Sequence, residues 1–176
     1  MKNLDVKYGS IMQIAYTVPD IESAVNNFAR QMNIGGWVII EKTAFASMLY
    51  RGKESPVPLK VGIAYQGDMM YEFIQPLTSG PSVYKDTIDS TGYGFHHFAV
   101  VVENMDKEIA EYKSRGFELA LDVRTKEGAR GAYMDTRGKL PGMLEFMEDS
   151  APIRAFLRLA FDVQCELQGN PNILRV

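Results

Sequence analysis

Two glutamates, a histidine and a glutamine are the residues of this chain whose types and positions could bind a metal ion. Glu72 lies within the apolar segment YEFIQP (71–76), and Glu145 lies within the similar segment LEFMED (144–149). A carboxylate among apolar neighbours is strongly disfavoured as an isolated anion, so it must be protonated, paired or bound to a metal. Neither Glu has a Lys or Arg within two residues. Two such carboxylates in matching segments indicate a shared cation.

The other two residues lie at matching positions of a longer internal repeat. Residues 11–28 (IMQIAYTVPDIESAVNNF) and 95–112 (FHHFAVVVENMDKEIAEY) align without gaps at an offset of 84. Each copy predicts an apolar strand, an Asp or Asn cap and an amphipathic helix. Gln13 and His97 occupy equivalent positions of the two strands. Four polar side chains at equivalent positions of two repeats predict one site on a pseudo-two-fold axis.

The donor atoms of this set indicate what kind of ion it would bind. Gln13, Glu72, His97 and Glu145 offer three oxygens and one nitrogen. Such a set favours one divalent ion with open water positions, namely Zn, Ni, Co or Mn. A closed structural zinc site would use thiolates instead.

Each residue of the set also has a structural alternative. His97 by itself could be a hydrogen-bonded core histidine, and each Glu could pair with a distant arginine such as Arg124 or Arg130. Gln13 by itself carries almost no information. The adjacent His96 is predicted to be structural and to point to the opposite face, because neighbouring side chains of a strand alternate.

The elements that must position these residues form the same pattern twice. Hydrophobic periodicity predicts a β-α-β-β-β unit in each copy, and one such unit cannot close a core without the other. We therefore predict an α+β fold with two tandem βαβββ modules that form an open, barrel-like cleft, followed by a C-terminal helix. The first unit is predicted as strand 11–18, helix 20–32 and strands 37–42, 60–66 and 69–76, and the second as strand 95–102, helix 104–115 and strands 117–123, 129–136 and 141–147.

The segments between and after these units are assigned from their composition. The loop 43–59 is predicted to contain a short strand near 46–50. A helix is predicted over 151–167, packed on the outside of the sheet in preference to an oligomer contact. The domain division is paired modules over 1–148, with module 1 at about 10–76, a linker at 77–93 and module 2 at about 94–148, and then a C-terminal helix and tail over 149–176.

Composition excludes several classes of function. The chain of 176 residues has 46% hydrophobic and 23% charged residues and a net charge of −3, as is typical of a soluble globular protein. The charges are interspersed, so no nucleic-acid surface is expected. No run is long and apolar enough for a membrane span, and the first ten residues lack the apolar core of a secretion signal. With Cys165 as the sole cysteine, no intrachain disulfide can form, and we expect a cytoplasmic protein.

These residues carry a family resemblance over about residues 10–148. The motifs QIAYTVPD, GFHHFAVVVEN, YEFIQP and MLEF resemble those of the vicinal oxygen chelate superfamily, which includes glyoxalase I, bleomycin-resistance proteins, extradiol dioxygenases and methylmalonyl-CoA epimerase. The resemblance implies two βαβββ modules around one metal. Its ligand positions map to Gln13 and His97 on the opening strands and to Glu72 and Glu145 on the closing strands. The ligand order is similar to that of glyoxalase I, and GFHHFAVVVEN is similar to the epimerase.

Two departures limit what the resemblance implies. The epimerase has a second catalytic carboxylate on the strand before its first closing strand, whereas KVGIAYQ (60–66) has no acid and has Gly62 at about that place. The basic residues with which glyoxalase I binds glutathione are not recognisable at matching places.

The leading functional hypothesis is a metal-dependent lyase or isomerase of the glyoxalase type. The metal would bind the vicinal oxygens of a small-molecule substrate and stabilise an enediolate, while Glu145, or Glu72 with it, would act as the base. Arg124, Lys126 and Arg130 could meet an anionic substrate, and a homodimer remains open.

Two alternatives are weaker. One is a non-catalytic binding protein of the bleomycin-resistance type, which would typically lack the full ligand set. The other is an iron-dependent ring-cleaving dioxygenase, which needs two histidines and a carboxylate on one face. The only two histidines of this chain are adjacent, and this argues against that oxygen chemistry.

Overall fold

A computed structural model of the chain describes residues 6–166 and 173–176. In these residues the chain forms eleven strands and four helices. The strands are β1 (Ile11–Thr17), β2 (Trp37–Ile40), β3 (Phe45–Tyr50), β4 (Lys53–Glu54), β5 (Leu59–Gln66), β6 (Met69–Pro76), β7 (Gly94–Val102), β8 (Glu118–Thr125), β9 (Arg130–Asp135), β10 (Met143–Glu148) and β11 (Ile173–Arg175). The helices are α1 (Ile21–Met32), α2 (Val83–Thr91), α3 (Met105–Ser114) and α4 (Ala151–Glu166).

All of the described strands belong to one curled sheet, in the order β11-β2-β5-β6-β1-β7-β10-β9-β8-β3-β4. Its eight central strands form two units with the same internal order, β2-β5-β6-β1 and β8-β9-β10-β7, which meet at the antiparallel β1–β7 pair. With α1 after β1 and α3 after β7, each unit is a βαβββ module. The predicted α+β fold with an open, half-barrel cleft is confirmed.

The pairing of β1 with β7 shows where the pseudo-two-fold axis passes. Ile14 pairs with Phe98, and these residues are 84 apart, as the two repeats are. A residue that pairs with its own repeat equivalent lies on the symmetry axis. The axis therefore passes between Ile14 and Phe98, at the centre of the sheet.

The two repeat helices pack on the same face of the sheet, which we call the outer face. Helix α1 begins after Asp20, whose carboxylate accepts a hydrogen bond from Ser23 N at 2.9 Å. Helix α3 begins after Asn104, whose amide oxygen accepts from Lys107 N at 2.9 Å. The caps satisfy backbone N–H groups that have no partner within the helix, and they are again 84 residues apart.

Strands β3 and β4 lie outside the repeated pattern. The sequence predicts a loop over 43–59 with one short strand, whereas the structure has two strands there. Strand β3 pairs with β8, with Met48 opposite Val123, so this segment crosses from the first module to the edge of the second. Such long-range pairing leaves no signal in local periodicity.

The segment 77–93, predicted as a linker, contains helix α2, which the sequence analysis missed. Ser82 caps this helix by accepting a backbone N–H of the first turn. Arg51, just after β3, binds Asp86 of α2 at 3.0 Å and Asp135 of β9 at 2.9 Å. These ion pairs hold α2 against the inserted strands and the second module.

Helix α4 packs on the inner face of the sheet, opposite α1, so the prediction that it packs on the outside is wrong. Its buried residues include Leu157 and Phe161, and Phe161 lies edge-on to Tyr65 of β5. At Gly36 an added Cβ would lie 2.8 Å from Val163 O, and the φ of +69° there also favours glycine. Leu167, the last residue of the predicted helix, lies outside the described residues.

Strand β11 extends the opposite edge of the sheet by pairing in parallel with β2. Arg175 of β11 binds Glu22 at 2.9 Å and also pairs with Glu41. The part of the chain that the structure describes has no helix long and apolar enough to cross a bilayer.

Candidate metal centre

The sheet register brings the predicted ligands to the junction of the two modules. In the β1–β7 pair, Gln13 lies opposite Ala99, two pairs along the ladder from His97, which lies opposite Ala15. Glu72 of β6 and Glu145 of β10 lie on the strands that flank this pair. All four residues are buried.

Three of the four residues bring a ligand atom to a common point. His97 Nε2 lies 3.0 Å from Glu145 Oε2 and 3.6 Å from Glu72 Oε2. One atom from each residue lies within 4.8 Å of the others. Gln13 lines the same cavity as both carboxylates.

The site contains buried polar atoms without hydrogen-bond partners. They include Gln13 Oε1, Glu72 Oε2 and His97 Nε2. His97 Nε2 lies 3.0 Å from Glu145 Oε2 and still has no hydrogen-bond partner. Buried polar atoms are normally satisfied, so unpartnered donor atoms from three strands fit a bound cation. The nitrogen and oxygen donors suit Zn, Ni, Co or Mn.

Two alanines, Ala15 and Ala99, lie between the candidate ligand residues, and their small side chains leave space there. Ala15 lies between Glu72 on β6 and His97 on β7, and Ala99 lies between Gln13 on β1 and Glu145 on β10. Both alanines are fully buried. These arrangements are related by the pseudo-two-fold axis, because the offset of 84 carries Ala15 onto Ala99.

The electrostatics of the metal-free site disfavour two ionised carboxylates. Burial raises the pKa of Glu72 well above its ordinary value, and the neighbouring Glu145 carboxylate raises it further. Burial also raises the pKa of Tyr84 and of Tyr133, again reinforced by Glu145. The two phenols are therefore neutral hydroxyl groups in the same cavity as the carboxylates.

The position of His96 differs from the prediction. Ala15 pairs with His97 while Tyr16 pairs with Phe95, so His96 is an extra residue in a β-bulge of β7. The bulge turns the His96 ring toward the site, where His96 Nδ1 lies 2.8 Å from His97 Nδ1. The expectation that His96 points to the opposite face is wrong, because strict alternation fails at a bulge.

A cavity of about 400 Å³ opens onto the ligands. Its walls are largely apolar, and α4 contributes Pro152, Ile153 and Phe156. The exposed side chains of Lys42 and Glu127 lie at its rim. Besides Gln13, Glu72 and Glu145, the cavity is lined by residues that contribute apolar surface, including Ile40, Phe45, Val61, Ile74, Val123 and Met147.

Two sequence hypotheses about other residues are corrected by the structure. Arg130 binds Asp106 at 2.7 Å and Asp122 at 2.9 Å, so it neither neutralises a buried Glu nor is free for a substrate. Gly62 faces α1, since an added Cβ would lie 3.4 Å from Val25. Val61 is the residue of β5 that faces the cavity there. The carboxylate that the epimerase pattern has on this strand therefore has no counterpart on β5 of this chain.

The sequence analysis missed Tyr84 and Tyr133 as residues of the site. Tyr84 comes from α2, a helix that was not predicted, and Tyr133 lies in a strand that reads as continuously apolar. The Tyr133 ring lies edge-on to His97 at 4.9 Å, and the Tyr84 ring stacks on His96 at 5.1 Å. The signal available for α2 was Ser82, a residue type that is preferred at the N-cap of a helix.

The fold and the shared donor set define a protein of two βαβββ modules with a single site between them. The chain belongs to the Glyoxalase/Bleomycin resistance protein/Dioxygenase superfamily, whose family model matches residues 12–134. The family resemblance inferred from the motifs is confirmed. No curated protein matches the chain significantly.

Solved structures with a similar fold include two kinds of protein. A hypothetical protein from Bacillus halodurans C-125 has 20% identity and a TM-score of 0.56, with 80% of this chain and 94% of that chain covered. A methylmalonyl-CoA epimerase from Mycobacterium tuberculosis has 13% identity and a TM-score of 0.58, with 85% and 94% covered. A methylmalonyl-CoA epimerase in complex with methylmalonyl-CoA and NH4+ has 14% identity and a TM-score of 0.55, with 82% and 97% covered.

Proposed function

We propose that this protein is a metal-dependent lyase or isomerase that moves a proton on a carbon next to a carbonyl group. The observation that carries the proposal is the group of unpartnered, buried donor atoms of Gln13, Glu72 and His97 beside the Glu145 carboxylate. Such a group is costly to bury without a cation. It lies at the base of a cavity large enough for a small molecule.

The ligands in this proposal are Gln13, Glu72, His97 and Glu145. A divalent ion bound there would supply a Lewis acid that stabilises negative charge on the substrate oxygens. Glu145 takes the proton from carbon and returns it, and Glu72 is the second candidate for this role.

The cavity walls support a substrate with an apolar body. Side chains such as Phe45, Val61 and Phe156 exclude water around it, while the neutral hydroxyls of Tyr84 and Tyr133 can donate hydrogen bonds to its oxygens. An anionic substrate group would meet Lys42 at the rim. Because a similar epimerase structure contains methylmalonyl-CoA, acyl-CoA epimers form one substrate class to assay. The cytoplasmic location stays a prediction, as does the homodimer.

A non-catalytic binding protein is the second candidate. The apolar cavity would serve this role equally well, but binding alone does not require a buried group of unpartnered donor atoms beside a carboxylate. A ring-cleaving dioxygenase is disfavoured because His96 faces His97 and Val83, so that the site has one histidine nitrogen aimed at the carboxylates.

The test is a proton-exchange assay on metal-depleted protein reloaded with Zn, Ni, Co or Mn. Substrates are methylglyoxal–glutathione hemithioacetal and acyl-CoA epimers in deuterated water, and the product is analysed for deuterium at the carbon next to the carbonyl. We expect Glu145→Gln at saturating metal to lose at least ~100-fold in turnover, because it removes the base and keeps the shape. Glu54→Gln, which changes an exposed carboxylate on β4, is the matched control. Undiminished turnover in Glu145→Gln would remove Glu145 from the mechanism.

A further inference from the structure

His96 makes two contacts that the proposed reaction does not use. The bulge in β7 places its ring directly behind His97, with the two Nδ1 atoms 2.8 Å apart. The other ring nitrogen, His96 Nε2, lies 3.2 Å from the Val83 carbonyl oxygen at the start of α2. Both histidines are fully buried, so bulk solvent does not compete for these contacts.

The Val83 carbonyl decides the direction of the hydrogen bonds along this chain of atoms. A carbonyl oxygen can only accept, so His96 Nε2 carries a proton and donates it. The neutral His96 ring then has a lone pair on Nδ1, which accepts from His97 Nδ1. In the neutral His97 ring, Nε2 then carries a free lone pair, 3.0 Å from Glu145 Oε2.

The opposite arrangement is disfavoured by burial. If His96 donated from both nitrogens, it would be a cation between the rings of Tyr84 and Tyr133 in a fully buried pocket. His97 Nε2 would then carry a proton and could not bind a metal.

We propose that His96 is a positioning residue that holds His97 in the tautomer whose Nε2 lone pair faces the metal site. Metal-binding histidines generally donate their second ring N–H to a nearby acceptor. In this chain the acceptor is another histidine, which is itself oriented by a backbone carbonyl of α2. The role given to His96 rests on the proposed metal site. The tautomer of His97 does not, and it can be measured in the metal-free protein.

The first experiment measures the tautomers without any metal. The chain has only two histidines, so ¹⁵N-histidine labelling gives signals from two rings, and the His97→Ala variant assigns them. We expect His97 protonated on Nδ1 and His96 protonated on Nε2, with a scalar coupling between the two Nδ1 atoms across their hydrogen bond. A His97 ring protonated on Nε2 would overturn the inference, whether or not metal binds.

The second experiment separates positioning from packing. His96→Phe keeps a ring in the pocket but removes the acceptor, whereas His96→Asn restores an acceptor oxygen near the position of Nδ1. We expect His96→Phe to lose about 10- to 100-fold in Co²⁺ affinity and His96→Asn to recover most of it, with thermal unfolding measured for both. Wild-type Co²⁺ affinity and an unchanged His97 tautomer in His96→Phe would overturn the inference. Unchanged affinity in His97→Ala would instead contradict the proposed metal site.

Discussion

The space around Glu145 is set by a glycine on the neighbouring strand. A Cβ added at Gly131 would lie 3.2 Å from Glu145 Oε1 and 3.2 Å from Val123 Cγ1. Both contacts are tighter than usual, so either the carboxylate or the strand would have to shift. The position of the proposed base therefore depends on a residue that makes no polar contact with the site.

Gly131→Ala tests this dependence. We expect at least a ~10-fold loss in turnover, because small displacements of a catalytic group are costly, with little change in the melting temperature. Gly80→Ala is the control, since an added Cβ there makes only ordinary contacts with Val57 and Thr78. The steady-state rate and the thermal unfolding of both variants are the measurements. Equal turnover in Gly131→Ala and the wild type would show that the carboxylate has room to spare.

The raised pKa of Glu72 predicts how the stability of the metal-free protein depends on pH. Its pKa is raised in the folded state above the ordinary value of 4.5. Its contribution to stability is therefore fully present below about pH 4.5 and is lost as the pH rises through the folded-state pKa. In this window the free energy of unfolding should fall by at most about 1.4 kcal/mol per pH unit relative to Glu72→Gln.

Urea unfolding of the metal-free wild type and of Glu72→Gln at a series of pH values measures this difference. The other titrating groups are common to both proteins, so the difference between the two curves reports mainly on Glu72 and its coupling to Glu145. Parallel curves from pH 5 to 9 would contradict the buried, Glu145-coupled environment described here. Added metal should reverse the trend, because the ion binds the ionised carboxylate.

At the scale of elements, the two helices outside the repeat complete the site from the inner face. Helix α2 supplies Tyr84 and the Val83 carbonyl, and the ion pairs of Arg51 hold this helix in place. Helix α4 supplies Phe156 and closes one wall of the cavity. The modules hold the proposed metal ligands, whereas the added helices line the cavity beside them.

Phe156→Ala tests the contribution of α4. Because this side chain lines the cavity, its removal should raise the KM for an apolar substrate by about 10-fold or more, with a smaller effect on kcat. Leu159→Ala changes an exposed residue of the same helix, 39% accessible, and should leave KM unchanged. Equal KM values for the two variants would mean that α4 does not contact the substrate.

At the scale of the whole molecule, the sequence predicted the repeated part of the fold and the C-terminal helix, and it missed helix α2 and the positions of β3 and α4 in the fold. The offset of 84 located equivalent positions, and the register Ile14–Phe98 follows from the same symmetry. Periodicity could not locate the pairing of β3 with β8 or the inner position of α4, because long-range packing decides both. His96 was misplaced because a bulge is a one-residue irregularity in an otherwise alternating strand.

The central claim is that the two modules share one metal ion, and metal content tests it most directly. Purified protein is depleted of metal, reloaded with Zn, Ni, Co or Mn, dialysed, and analysed by inductively coupled plasma mass spectrometry beside His97→Ala. The account predicts about one ion per wild-type chain for at least one of the metals and a large loss in His97→Ala, because one of the four ligands is removed. A wild-type chain that binds none of the four metals, or a His97→Ala chain that binds as much as the wild type, would contradict it.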